Sequence, residues 1–160
     1  MEEAKKKFSI ICFSGDFDKA LPAYILATGA AAFDYEVNLF FTFWGLNIIK
    51  KKRGRKPIGR QLLEKMFNFM MGGRNNLPMT HFNFGGIGPM LMQSMMKQKK
   101  IKSLDELMAD AKELGVKTYA CDMAMKVMGI SREDLIDDIT DVVGVGTFLA
   151  NGEGGQMLFI

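Results

Sequence analysis

Thr118-Tyr119-Ala120-Cys121-Asp122-Met123-Ala124-Met125-Lys126-Val127-Met128-Gly129-Ile130 decides how this chain folds. It reads as the end of a buried strand, a single cysteine at the turn and a short helix closed by Gly129. Val116 to Ala120 is apolar and β-prone, and Gly115 just before it stops a preceding helix. After Cys121, the apolar residues Ala124, Val127 and Met128 recur at helical spacing. A cysteine between the carboxyl end of a strand and the first turn of a helix faces unpaired backbone N–H groups and the positive end of a helix dipole. Both favour the thiolate, the nucleophilic form. The carboxylate of Asp122 opposes a second negative charge beside it. Cys121 therefore has two readings: a small buried core residue, or a nucleophile.

The same alternation extends outward from this stretch. Upstream, Ser103-Leu104-Asp105-Glu106 has capping-box spacing and opens an amphipathic helix that ends at Gly115. Phe8 to Phe13 is an apolar run suited to a strand covered on both faces, and Ser14-Gly15-Asp16 follows as a turn. A helix is expected from about Asp18 to Phe33, with Asp16 or Asp18 as N-cap and Pro22 in the first turn, where a missing N–H costs little. The small residues from Ala27 to Ala32 let this helix approach the sheet closely. Tyr35 to Phe43 gives a second strand, and one strand–helix–strand unit implies parallel pairing.

Downstream, Ser131 caps a short helix, Asp141 to Gly144 is a brief strand, and Val145 to Ala150 is a small helix. Gln156 to Ile160 is a last strand. Five strands alternating with helices predict an α/β fold, a three-layer α/β/α sandwich around a mainly parallel sheet. The expected organisation is one domain over 1–160, with a Met-rich helical insertion between strands 2 and 3 at about 50–102.

Composition narrows the function classes. The 160 residues suffice for one full core. A net charge of +3 makes no demand for nucleic acid. Two cysteines, Cys12 and Cys121, and one histidine, His81, exclude a disulfide framework and leave too few ligands for structural zinc, so neither a metal nor a cofactor is expected. The amino-terminal Met1 to Lys7 lacks the apolar core of a secretory signal, and no run reaches about eighteen apolar residues, so the expected location is the cytoplasm. Gly85-Gly86-Ile87-Gly88 follows no clear strand and has no acidic residue at the dinucleotide spacing, which favours a hinge or close packing over phosphate binding.

Methionine is over-represented: of fourteen, all but Met1 and Met157 lie between Met66 and Met128. From Met66 to Met96 the only titratable side chains are Arg74 and His81, and lysine clusters flank the segment on both sides. This pattern has two readings: an oligomer interface, or a surface that touches a membrane while the lysines meet anionic head groups.

Ligands bind at the carboxyl ends of strands in open parallel sheets. Three stretches converge there: Ser14-Gly15-Asp16, Thr42-Phe43-Trp44-Gly45 and Cys121-Asp122-Met123. Trp44 is either a wall over the thiol or a core residue. Cys12 is expected to point into the core, with a resolving thiol for Cys121 as its alternative role.

These three stretches, read as Ser14 to Ala20, Phe40 to Leu46 and Ala120 to Ile130, resemble the DsrE/DsrF-like superfamily. More narrowly they resemble its longer branch of DsrE-like sulfur carriers, sometimes labelled peroxiredoxin-family proteins. The resemblance runs over nearly the whole chain. It implies a parallel five-stranded fold, homo-oligomerisation, TusA-like or rhodanese-type relay partners, and a cysteine that carries sulfane sulfur. That cysteine maps onto Cys121. Ala124 departs from the branch, where serine is expected, and no Pro-x-x-x-Thr/Ser-x-x-Cys arrangement is present to position a peroxide.

The expected function is a sulfurtransferase of the relay type, holding sulfur as a persulfide on Cys121 and passing it to an acceptor thiol. The alternatives are a thiol–disulfide or peroxide-reducing protein using Cys121 with Cys12, and a non-catalytic oligomeric binding module.

Overall fold

A computed structural model describes residues 5–52 and 55–160. Its centre is a five-stranded sheet in the order β4-β3-β2-β1-β5, parallel throughout. The strands are β1 (Lys7–Cys12), β2 (Glu36–Phe41), β3 (Lys117–Cys121), β4 (Asp141–Val143) and β5 (Gln156–Phe159). The chain steps outward in one direction from β1 through β4, then returns to the other side of β1 as β5. The central strands lie almost wholly out of water, which is why β2 reads Val37-Asn38-Leu39-Phe40-Phe41 without a solvated face.

Helices cover both faces. In the helix α1 (Phe17–Ala32), Ala20, Ala23 and Ala27 are buried. Of the small-residue run from Ala27 to Ala32 expected to approach the sheet, only Ala27 is fully buried, and a Cβ on Gly29 would meet open space. Tyr24 of α1 stacks on Phe41 with ring centroids 6.2 Å apart. The opposite face carries α6 (Val145–Asn151), whose Phe148 stacks on Phe40 at 4.5 Å. The sheet and α/β layering match the expectation from sequence. The helix α1 differs at its start. It begins at Phe17, whose N–H donates to the Pro78 carbonyl at 2.7 Å, so Pro22 falls in the second turn rather than the first. Asp16 is the N-cap residue through its backbone carbonyl, which accepts from Lys19 and Ala20, and its side chain makes no cap bond.

Between β2 and β3 lie the 3-10 segment Phe43–Ile49 and the helices α2 (Leu62–Met71), α3 (Ile87–Gln98) and α4 (Leu104–Glu113). The predicted capping box opens α4: the Ser103 hydroxyl accepts from Glu106 N–H at 3.3 Å, and the Glu106 carboxylate accepts from Ser103 N–H at 2.7 Å. The helix α2 is inside out. Its apolar row of Leu62, Leu63, Met66, Phe67 and Met70 is exposed, and its one buried residue is Asn68. Arg53 and Gly54 of the basic run lie outside the described residues.

Candidate functional site around Cys121

Cys121 is the last residue of β3 and the residue immediately before α5 (Asp122–Met128), as its sequence context predicted. Gly129 closes α5 at φ 64, a left-handed conformation that suits glycine. Cys121 is buried, 3% exposed. Asp122 turns its carboxylate onto Lys126 one helical turn away, at 2.7 Å, so its charge is compensated locally rather than directed wholly against a thiolate. Met123 and Val127 are exposed on the outer side of α5, while Ala124 and Met125 are buried.

The other two predicted loops meet each other directly. A Cβ on Gly15 would overlap the Trp44 carbonyl oxygen, and one on Gly45 would overlap the Cys12 carbonyl oxygen. Both positions therefore demand glycine for space. The Gly45 N–H donates to the Phe13 carbonyl at 2.8 Å, and Thr42 N–H donates to Cys12 O at 3.1 Å. The end of β5 joins them: Phe13 and Ser14 both donate to Ile160 O, at 2.8 and 3.3 Å. Phe43 takes φ 46, a strained backbone that turns β2 into the 3-10 segment, and its ring lies 5.7 Å from that of Phe13.

Ser14, Gly15, Asp16, Thr42 and Gly45 thus form one cluster at the ends of β1 and β2, with Cys121 at the end of the next strand over. Thr42 is buried, and Asp16 is partly buried; desolvation, followed by the nearby Asp18 charge, raises its carboxyl above the usual range. Trp44 is 37% exposed and sits against Phe67 of α2, with ring centroids 6.4 Å apart. Its nearest aromatic neighbour comes from the Met-rich segment, a contact that sequence could not supply.

The two cysteines are set apart. Cys12 pairs in register with Phe41, and Phe41 with Ala120. Side chains in register share a face and adjacent residues alternate. Cys12 therefore lies on the α1 face, and Cys121, one residue past Ala120, points to the other. One whole strand separates them, about 10 Å at the usual strand spacing, beyond the span of a disulfide. Both are free thiols, and burial pushes the Cys12 thiol up to about 12.

Sequence reasoning missed Lys50. Placed in a basic run, it is 2% exposed, and its ammonium donates to Asn68 Oδ1 at 2.7 Å. Asn68 Nδ2 in turn reaches the carbonyls of Ile58, Glu64 and Met128, at 3.0, 3.0 and 2.8 Å. The last is the final residue of α5, so Asn68 ties α2 to the helix that follows Cys121. Burial holds Lys50 down at about 8, with the Asp134 charge working in the other direction. The one available signal was a lone asparagine inside the apolar run from Met66 to Met71.

Among the described residues no group of three or more His, Cys, Asp or Glu could hold a metal ion, and no helix is long and apolar enough to cross a membrane.

Comparison with known proteins agrees with the fold. The chain is 44% identical over 162 residues to the "Uncharacterized protein YrkE" of Bacillus subtilis (strain 168), covering 100% of both chains. It is 33% identical over 161 residues to the "Sulfur carrier protein DsrE2" of Allochromatium vinosum, covering 98% of this chain and 99% of that one. Two solved structures share the fold at 13% identity. MTH1491 from Methanobacterium thermoautotrophicum gives a TM-score of 0.57 over 98% of this chain and 100% of its own. The ychN protein of E. coli gives 0.52 over 96% and 97%. Residues 4–159 match the sequence pattern of the DsrE/DsrF/DrsH-like family. The chain belongs to the DsrE/DsrF/DrsH-like family.

Proposed function

We propose that this protein is a sulfur carrier that holds sulfane sulfur as a persulfide on Cys121. The family supports a sulfur-relay role in general, and one relative bears the name of a sulfur carrier. The observation that carries the assignment to Cys121 is the contrast between the two thiols. Both cysteines end a strand and both are buried, but Cys12 packs beneath α1 with its thiol pushed up to about 12, whereas Cys121 is followed at once by the first turn of α5.

The chemistry is a neutral exchange of one sulfur atom. The Cys121 thiolate attacks the outer sulfur of a donor persulfide R–S–SH. The donor S–S bond breaks, R–S⁻ leaves, and Cys121–S–SH forms. An acceptor thiolate R′–S⁻ then attacks the outer sulfur, giving R′–S–SH and restoring the Cys121 thiolate. No external oxidant or reductant is consumed. Since Cys121 is nearly enclosed in the single chain, both steps require α5 to move away from the sheet end, and the Asn68–Met128 bond is the tie that such a movement loosens.

TusA-like or rhodanese-type proteins in the same compartment, the cytoplasm, are the donors and acceptors of suitable chemistry. Homo-oligomerisation fits the exposed apolar residues Met157 and Phe159 on the edge strand β5, whose outer side pairs with no strand among the described residues. Transfer is tested by loading the protein with sulfur, removing excess donor, and adding a thiol acceptor. Wild type passes sulfane sulfur to the acceptor, detected by cyanolysis as thiocyanate. An equal yield from Cys121→Ser contradicts the assignment.

A further inference from the structure

We propose that α2, the Phe82–Phe84 turn and α3 form a docking surface for an anionic lipid membrane, which the protein binds peripherally. This goes beyond the carrier chemistry and does not depend on it.

The surface is built rather than incidental. Asn68 anchors the inner side of α2 through three carbonyls and Lys50, and that anchoring directs the row from Leu62 to Met70 outward. Leu62 is 83% exposed. The helix α3 presents Ile87, Met90, Leu91 and Met95 at one-face spacing, all exposed, with Met90 at 70%. The two helices meet at a groove of about 480 Å³ lined by Met70, Ile87 and Met90. Beside them, Phe82 and Phe84 stand exposed at φ 58 and 41 with their rings 6.0 Å apart. Exposed apolar side chains grouped on adjoining elements mark an interaction site.

Charge selects the occupant. Arg55, Lys56, Arg60 and Lys65 precede or begin the apolar surface, and Lys97, Lys99 and Lys100 follow it; all seven are exposed, and none forms an ion pair with a described residue. The one carboxylate between residues 55 and 100, Glu64, accepts from the Arg60 and Gln61 backbone N–H groups. A second copy docking here would bring two basic rims together. Anionic head groups complement them, while the methionine, leucine and phenylalanine side chains enter the acyl boundary. The ten residues of α2 are too few to span a bilayer and suit a helix lying in its surface.

The test is flotation of the full-length protein with phosphatidylcholine vesicles, with and without phosphatidylserine. The expected result is binding about tenfold or more stronger with phosphatidylserine, weakening as salt is raised. The double substitution Leu62→Asp/Met90→Asp, at two exposed positions that leave the fold intact by circular dichroism, lowers binding by about tenfold or more. Changing Lys97, Lys99 and Lys100 to serine removes most of the lipid preference. Absence of flotation, equal binding to both vesicle types, or wild-type binding by the double variant overturns the proposal. So does sedimentation showing that this face instead joins two copies, with self-association lost in the double variant and no vesicle binding.

Discussion

Cys12 and Cys121 end two strands of the same parallel sheet, yet their thiols lie on opposite faces with β2 between them. A redox pair needs Cα atoms within about 7 Å and converging Cβ vectors, and this sheet provides neither. Mild peroxide should therefore leave no intramolecular disulfide. Intact mass should show no loss of about 2 Da, and non-reducing electrophoresis should show no compacted monomer. A Cys12–Cys121 bond formed in the native protein would revive the thiol–disulfide alternative.

Gly45 brings the 3-10 segment against the end of β1. Adding a methyl group there collides with the Cys12 carbonyl, which is backbone and cannot rotate away. Gly45→Ala should destabilise the protein by about 3 kcal/mol, at the upper end of overpacking costs, as read from urea denaturation. A change below about 0.5 kcal/mol would mean that the β1 and β2 ends are not so closely joined.

Lys50 gives a pH signature. The folded protein releases its proton near 8, whereas an unfolded lysine keeps it to about 10.5. Between those values the unfolded state binds more protons, so this group adds stability as pH rises, by roughly 3 kcal/mol in all. Cys12 works in the opposite sense. Its folded thiol holds its proton to about 12 while the unfolded thiol loses it near 9.0, so that contribution is lost as pH rises above 9.0. Comparing wild type with Lys50→Met cancels the cysteine. The stability difference should move in favour of wild type by roughly 2–3 kcal/mol between about pH 7 and pH 10.5, measured by denaturant unfolding at each pH. A flat difference would place the Lys50 ammonium in water.

The sequence was most legible where the signals are local. The capping box of Ser103 and Glu106, the stop at Gly115 and the strand–cysteine–helix passage through Cys121 each depend on a few adjacent residues, and each is present. Strand type followed from apolar runs alternating with helical spacing. Strand order did not, because the placement of β5 beside β1 rests on contacts between residues distant in sequence. The orientation of α2 was hidden for a related reason. A helix whose polar Asn68 faces inward and whose leucines face outward inverts the usual rule, and its partner Lys50 lay disguised in a basic run. Pro22 misled on the start of α1, since the pairing of Phe17 with Pro78 spans about sixty residues.

Sulfur loading tests the central claim most directly. The protein is exposed anaerobically to polysulfide, freed of small molecules and weighed intact, in parallel with Cys121→Ser and Cys12→Ser. Wild type and Cys12→Ser should each gain about 32 Da per sulfur atom and lose it on reduction, and Cys121→Ser should gain none. Equal loading of Cys121→Ser, or no loading of the folded wild type, would contradict Cys121 as the sulfur-carrying residue.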